Sequence, residues 1–350
     1  MPVRKTSTRL ADGRELFYFD ARFTGPRDAV DGRVIEPVTV ASQARWDRLR
    51  GETVVSAAHR QARTHLPPAD ECPLCPSRPG VRSEIPDEDY EVVVFENRFP
   101  SLGGEMGGRC EVVCFGPEHT GSFADLDEER AATVLAAWID RSAALSALPG
   151  VEQVYCFENR GAEIGVTLAH PHGQIYGYPY VTPRTRRTLD RVAAHRAETG
   201  GRNLFDDVLA EERADGRRIV TAGDHWTAFV PYAAHWPYEL HLYPRRRVPT
   251  LPDLDEAAAA ELPAVLLDLT GRFDRIFGPG QGPTPYVAAW HQAPVRDPLR
   301  TEFACHLELF TIRRAPGKLK YQAGSESGMD AFIGDVAPEA AAARLREVAP

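Results

Sequence analysis

Short alternating apolar runs and helical repeats follow one another twice along this chain in the same order. Tyr90-Glu91-Val92-Val93-Val94-Phe95 and Glu111-Val112-Val113-Cys114-Phe115 read as strands. Asp125-Leu126-Asp127-Glu128 then places an aspartate at a cap position with a glutamate three residues on, which predicts a helix start at Asp125. Val134, Leu135, Trp138 and Ile139 continue at helical spacing. The second copy has Trp226-Thr227-Ala228-Phe229-Val230, then Glu239-Leu240-His241-Leu242-Tyr243, then Asp253-Leu254-Asp255-Glu256, with Leu262, Val265, Leu266 and Leu269 behind it. A further strand pair closes each copy, ending at His170-Pro171-His172-Gly173-Gln174 and at Cys305-His306-Leu307-Glu308-Leu309. This order predicts an α+β protein of two fused halves, each an antiparallel sheet with a packed long helix. Thr182 to Asp215, with Arg184, Arg186, Arg187 and Arg191, reads as a solvated helix and loop between them, and Pro338 to Val348 as an Ala-rich helix.

The first closing strand carries the chemistry. In an extended segment His170, His172 and Gln174 share one face. Val151 to Phe157 before it and Ile175 to Tyr178 after it have strand composition. Gly161, Gly165 and Gly173 would let a phosphate approach the backbone. A core histidine pair in a buried strand is the plain alternative.

Composition narrows the classes. The chain has 350 residues, 43% hydrophobic and 26% charged, ordinary for a globular protein. A net charge of -9 argues against general nucleic-acid binding and leaves room for a local basic pocket. Met1 to Asp20 has no apolar signal core and no run approaches a membrane span, so a cytoplasmic protein without membrane association is expected. The six cysteines then read as reduced thiols and metal ligands rather than disulfides.

Cys72-Pro73-Leu74-Cys75 can put two thiolates on one tetrahedral ion. A redox pair normally opens a helix, which Pro76 and Pro79 oppose. Zinc would need two more ligands, for which His119 and His170 are the candidates; His119 also fits a surface turn with no ligand role. Four protein ligands would make the site closed and structural, orienting the strand that bears His172.

His172 is then free to act as a nucleophile. Neutral imidazole attacks phosphorus through one nitrogen while an acceptor holds the other N–H. Gln174 cannot protonate a leaving group and can only hydrogen-bond a phosphoryl oxygen. The leaving group must already be a good one, as a sugar phosphate is with a second ionisation near ~6. Nucleotidyl transfer between phosphates is favoured over hydrolysis of an ester or amide.

Phe157-Glu158-Asn159-Arg160-Gly161-Ala162, Gly165 and His170-Pro171-His172-Gly173-Gln174-Ile175 together resemble the active-site segment of the galactose-1-phosphate uridylyltransferase family, a transferase branch of the histidine-triad superfamily. Further landmarks run in one order: Arg45-Trp46-Asp47, Arg50-Gly51-Glu52, His59-Arg60-Gln61-Ala62-Arg63, the cysteine pair, Asn97-Arg98-Phe99-Pro100, Trp236-Pro237-Tyr238-Glu239 and Trp290-His291-Gln292-Ala293-Pro294. The resemblance implies two histidine-triad-like halves, 1–196 with zinc and nucleophile and 197–350 with a sugar-phosphate strand. It implies a ping-pong exchange of UMP between UDP-glucose and galactose 1-phosphate through His172.

The same resemblance assigns Arg60 and Arg63 to phosphates, Asn97, Phe99 and Asn159 to the nucleoside, and Thr167 and Gln174 to the phosphoryl group. Zinc falls on Cys72, Cys75, His119 and His170. Lys320 would pair with the sugar phosphate and Glu326 would accept from sugar hydroxyls, on a strand that family members can take from a partner subunit, which implies a homodimer. Three departures stand out. Arg98 sits where many relatives have aspartate, and no glutamine follows Gln322. Glu308 replaces a histidine of the second metal site that some relatives form with counterparts of His291 and His306. An adenylyl-transferring relative, such as an ADP-sugar or dinucleoside polyphosphate phosphorylase, would use the same His172 and Gln174. A zinc-stapled nucleotide-binding protein without turnover would need no nucleophile.

Overall fold

The structure, a computed structural model, describes residues 3–36, 38–62 and 66–349. Its chain contacts divide it into two units: 1–156 with 167–188 and 293–300, and 157–166 with 189–292 and 301–350.

The first unit contains β1 (Arg4–Arg9), β2 (Glu15–Asp20), β3 (Gln43–Asp47), β4 (Glu52–Ser56), β5 (Val92–Glu96), β6 (Arg109–Cys114), helix α1 (Glu128–Ser146), the first half of β7 (Gln153–Arg160), β8 (His172–Tyr178) and the start of α2 (Pro183–Glu198). β1, β2, β5, β6 and β8 lie side by side in that order, each antiparallel to the next, while β3 and β4 form a separate hairpin. β5 is a continuous buried run, as a strand covered on both faces must be. α1 packs against β2, β5 and β8 and buries Val134, Leu135, Ala137, Trp138 and Leu145. Burying these apolar side chains is worth roughly 1.5–3 kcal/mol for each large one. On the same helix Arg141 grips the fully buried Glu111 of β6 through two hydrogen bonds of 2.8 and 2.9 Å, the geometry that makes a buried charge pair tolerable.

The helix opens two residues later than its sequence predicts. Asp127 is its cap, accepting from the Arg130 amide at 2.7 Å. Asp125 instead closes a short 3-10 turn with Ser122. The second unit repeats the shift: Asp255 caps its long helix, while Asp253 accepts from Thr250 in a 3-10 turn. In both, a short turn precedes the helix and uses the first aspartate.

The second unit holds α3 (Leu204–Asp215), β9 (Ile219–Ala222), β10 (Trp226–Phe229), β11 (Leu240–Pro244), α4 (Glu256–Arg275), β12 (Tyr286–His291), β13 (His306–Phe310), β14 (Arg313–Ala315), β15 (Lys318–Leu319), α5 (Gly324–Met329) and α6 (Pro338–Glu347). Its sheet runs β12-β13-β11-β10-β9. The order β10-β11-β13 matches β5-β6-β8 of the first unit: a hairpin, a helix, then a returning strand laid beside the second. The fold is α+β with antiparallel sheets and packed helices, as the repeat predicts. Two local readings differ. The polar segment after Thr182 forms two helices, α2 and α3, the second capped by Asn203, whose side chain accepts from Phe205 and Asp206 amides. The sugar-phosphate strand expected at 318–326 is extended only at Lys318–Leu319; from Gly324 it coils into α5, where the Ser327 amide donates to Ala323 and Asp330 ends the turn at φ 51.

Candidate active site and metal centre

Strand register builds the site. Phe95 of β5 lies opposite Val112 of β6, and Val112 lies opposite Gln174 of β8. One step along, Val93 faces Cys114 and Cys114 faces His172. Cross-strand partners share a face, so an apolar floor runs under His172 and Gln174. A cavity of about 180 Å³ opens there, walled by the apolar Phe95, Phe99, Val112, Leu74, Pro73 and Leu168 and by the polar Arg60, Asn97, Arg98, Thr167, Glu84, His172 and Gln174.

His172 is oriented by its own chain. Its Nδ1–H donates to the His170 carbonyl at 2.7 Å, which leaves the Nε2 lone pair as the basic nitrogen. Burial lowers its pKa, against the pull of that carbonyl, so the neutral ring is favoured. Gln174 is oriented by a chain of donors. Arg60 donates to the Ser101 hydroxyl, Ser101 lies 3.1 Å from the Tyr176 hydroxyl, and Tyr176 donates to Gln174 Oε1 at 3.3 Å. With the carbonyl end of Gln174 engaged by Tyr176, its amide N–H groups remain as the donating end. Asn97 accepts from the Phe99 amide at 2.8 Å, a local turn that fixes both residues on the wall.

Cys72, Cys75, His119 and His170 converge beside this pocket, with ligand atoms all within 4.8 Å of one another. Cys75 Sγ lies 3.4 Å from His119 Nδ1 and 3.5 Å from His170 Nδ1. The far nitrogen of His170 is 2.9 Å from the Gly116 carbonyl and 2.9 Å from the Tyr90 hydroxyl, whose own hydrogen goes to the Leu74 carbonyl. That arrangement places the His170 proton on Nε2 and the lone pair of Nδ1 toward the cysteines, as a metal ligand requires. Burial pushes the Cys75 thiol up to about 12, with Cys72 adding to it, and pulls His170 down to about 4. Two thiols and two imidazoles so held suit a four-coordinate divalent cation, and the cluster could hold a metal ion.

The remaining predicted residues are placed as follows. Arg60, Asn97, Phe99 and Thr167 line the His172 cavity. Arg63 lies outside the described residues. Asn159 sits on the part of β7 that belongs to the second unit. Lys320 forms an ion pair with Glu326 at 2.9 Å and approaches Asp335 at 3.5 Å, all within the second unit. That unit also gathers His291, His306 and Glu308, with Glu239 and His241 alongside. Burial alone would raise Glu308, but His291 and His241 hold it well below the usual carboxylate range.

Sequence reasoning missed Tyr90, Ser101, Tyr176 and Glu84. Only Tyr176 carried a signal: it continues the period-two face of His172 and Gln174.

Two family models match this chain, the N-terminal domain of galactose-1-phosphate uridyl transferase over residues 104–182 and its C-terminal domain over 187–350. A galactose-1-phosphate uridylyltransferase of Streptomyces lividans is 57% identical over 99% of this chain and 98% of its own. One from Thermotoga maritima is 33% identical, over 87% of this chain and 98% of its own. A solved structure of uridylyltransferase superposes with a TM-score of 0.75 at 29% identity, covering 87% of this chain and 97% of its own. No helix among the described residues is long and apolar enough to cross a membrane.

Proposed function

Because this chain belongs to the galactose-1-phosphate uridylyltransferase family, we propose that it exchanges UMP between UDP-glucose and galactose 1-phosphate through a covalent uridylyl-histidine at His172. The observation that carries this reading is the orientation of two side chains on β8: an imidazole whose Nδ1–H is spent on the His170 carbonyl, and an amide whose carbonyl is spent on Tyr176.

In the first half-reaction the Nε2 lone pair of His172 forms a bond to the α-phosphorus of UDP-glucose. The bond from that phosphorus to the bridging oxygen breaks, and its electron pair leaves with glucose 1-phosphate. No proton needs to be supplied, because the departing oxygen belongs to a phosphate. The imidazole becomes positively charged, and the His170 carbonyl on Nδ1–H stabilises that charge. Gln174 donates to a non-bridging oxygen where negative charge builds. A phosphate oxygen of galactose 1-phosphate then attacks the same phosphorus and returns the electron pair to Nε2. Arg60 and Arg63 hold phosphates, Thr167 donates to the phosphoryl group, and Asn97, Phe99 and Asn159 hold the nucleoside. Lys320 and Glu326 serve the hexose phosphate in a homodimer.

Cys72, Cys75, His119 and His170 would hold zinc, since Cys75 Sγ lies 3.4 Å from His119 Nδ1 and 3.5 Å from His170 Nδ1, close enough to share one ion. Bound there, it would fasten the segment before β8, and no step at phosphorus is routed through it. The division into halves at 1–196 and 197–350, and work in the cytoplasm with reduced thiols, belong to the same proposal.

The test is labelling. Protein incubated with UDP-glucose radiolabelled in the uridine should retain acid-labile, base-stable label on His172, and free glucose 1-phosphate should appear in equal amount. His172→Ala should bind UDP-glucose and take up no label. Transfer that survives this substitution would remove His172 from the reaction.

A further inference from the structure

Arg98 is the cation among the described residues lining the His172 cavity that this reaction leaves without a task. It lines the same space as Arg60, His172 and Gln174. Its Nε is buried and meets no hydrogen-bond partner, and among the described residues it enters no ion pair. Its guanidinium carbon lies 5.6 Å from the centroid of the Phe99 ring.

A carboxylate does stand on that wall. Glu84 is the only one among the described lining residues, and it is already taken. Arg14 donates to it at 2.5 Å and Arg33 lies 2.9 Å from it. Asp12 and Asp31 close the outer ends of those two arginines at 2.7 and 2.8 Å. These five groups pair in a row from Asp12 to Asp31, and none of their ion pairs includes Arg98. Arg60 is in the same state: it gives one arm to Ser101, and its Nε is buried without a partner. Two guanidinium groups therefore line this pocket without an ion-pair partner among the described residues, and a shielded cation without a paired charge is costly.

We propose that Arg98 binds the diphosphate of the nucleotide-sugar donor, forming with Arg60 a two-arginine clamp. The proposal rests on reading this pocket as the donor site. A guanidinium only donates, so its partner must be an acceptor. Uracil carbonyls and ribose hydroxyls are acceptors but carry no charge, and they would leave both cations uncompensated. A diphosphate brings two negative charges and oxygens spaced for a planar fork. An acidic residue at this position would add a negative charge and oppose a diphosphate.

The experiment is calorimetric titration of the full-length protein with UDP and, separately, with uridine at two salt concentrations. Arg98→Ala and Arg98→Gln should weaken UDP about tenfold or more, the loss expected for a charged hydrogen bond. Uridine should bind them as it binds the parent protein, Arg98→Lys should recover part of the UDP affinity, and the salt dependence of UDP binding should flatten in the neutral variants. Unchanged UDP affinity in both neutral variants overturns the clamp. So does a parallel loss of uridine and UDP, which would put the side chain on the nucleoside or on folding. The labelling test separates the two readings. Parent protein that takes label on His172 while the Arg98 variants bind UDP normally keeps the transfer and loses the clamp. Arg98-dependent UDP binding with no label on the parent keeps the clamp and loses the transfer.

Discussion

Tyr176 sets which way Gln174 points. An amide presents a donor at one end and an acceptor at the other, and the two ends are nearly the same shape. The phenol occupies the acceptor end, and Ser101 and Arg60 stand behind it. Tyr176→Phe keeps the ring in its buried place and deletes only the hydroxyl, and with it the donor to Gln174 and the contact with Ser101. Gln174 should then sample both orientations, and half of them turn an oxygen toward the developing phosphoryl charge. We expect kcat to fall about tenfold, the scale of one lost orienting hydrogen bond, with KM for UDP-glucose little changed. Steady-state kinetics beside a thermal melt checks this; a melt that falls in step with kcat would mean the hydroxyl serves folding rather than Gln174.

At the scale of elements, β7 and β12 share a buried charged cluster within the second unit. Glu158 accepts from the Tyr286 hydroxyl at 2.9 Å, the Arg160 guanidinium lies 4.6 Å from the Tyr286 ring centre, and Arg160 pairs with Asp274. Burial pushes Glu158 up to about 7 from an ordinary 4.5, against the pull of Arg160. The sign follows from proton counting. Between roughly pH 4.5 and 7 the folded chain keeps this proton and the unfolded chain has lost it, so stability declines as pH rises through that window. The decline is of order 3 kcal/mol if the shift is fully expressed. Glu158→Gln cannot ionise and should flatten the profile of melting temperature against pH between 5 and 7. A profile that keeps its slope in the variant would place the titration elsewhere.

At the scale of the whole molecule, the candidate metal ligands Cys72, Cys75, His119 and His170 come from segments far apart in the chain: the turn at 72–75, the loop after β6 and the approach to β8. Four bonds from these residues to a bound ion would contribute to folding directly, because the unfolded chain has no site. Cys72→Ser, or treatment with a strong chelator, should lower zinc content and drop the melting temperature by about 5 °C or more. Any loss of transfer should follow the loss of folded protein, since on the proposed reading the ion would hold the segment before β8 and take no part at phosphorus. Full zinc occupancy in Cys72→Ser would remove that residue from the ligand set. The opposite pattern, stability kept and transfer lost, would move the ion from a fastening role to a chemical one.

Much of this was legible in local order. Periodicity of two puts His172 and Gln174 on one face whatever the rest of the chain does, and the Cys72–Cys75 spacing brings two thiols together by itself. Helix existence followed from spacing near 3.6 residues, and the repeat of strand, strand, helix and strand followed from its recurrence. These features depend on neighbours within a few residues. The rest needed the folded chain. Phe95, Val112 and Gln174 form one floor only because β6 chose β5 and β8 as neighbours in one register, across separations of 17 and 62 residues. Which aspartate caps α1 was decided by Ser122, which claims Asp125 for its own turn. The charge on Arg98 became informative only when Glu84 proved to be held by Arg14 and Arg33. Local patterns carry no record of such pairings, since burial and charge balance are settled among residues that meet only after the chain has folded.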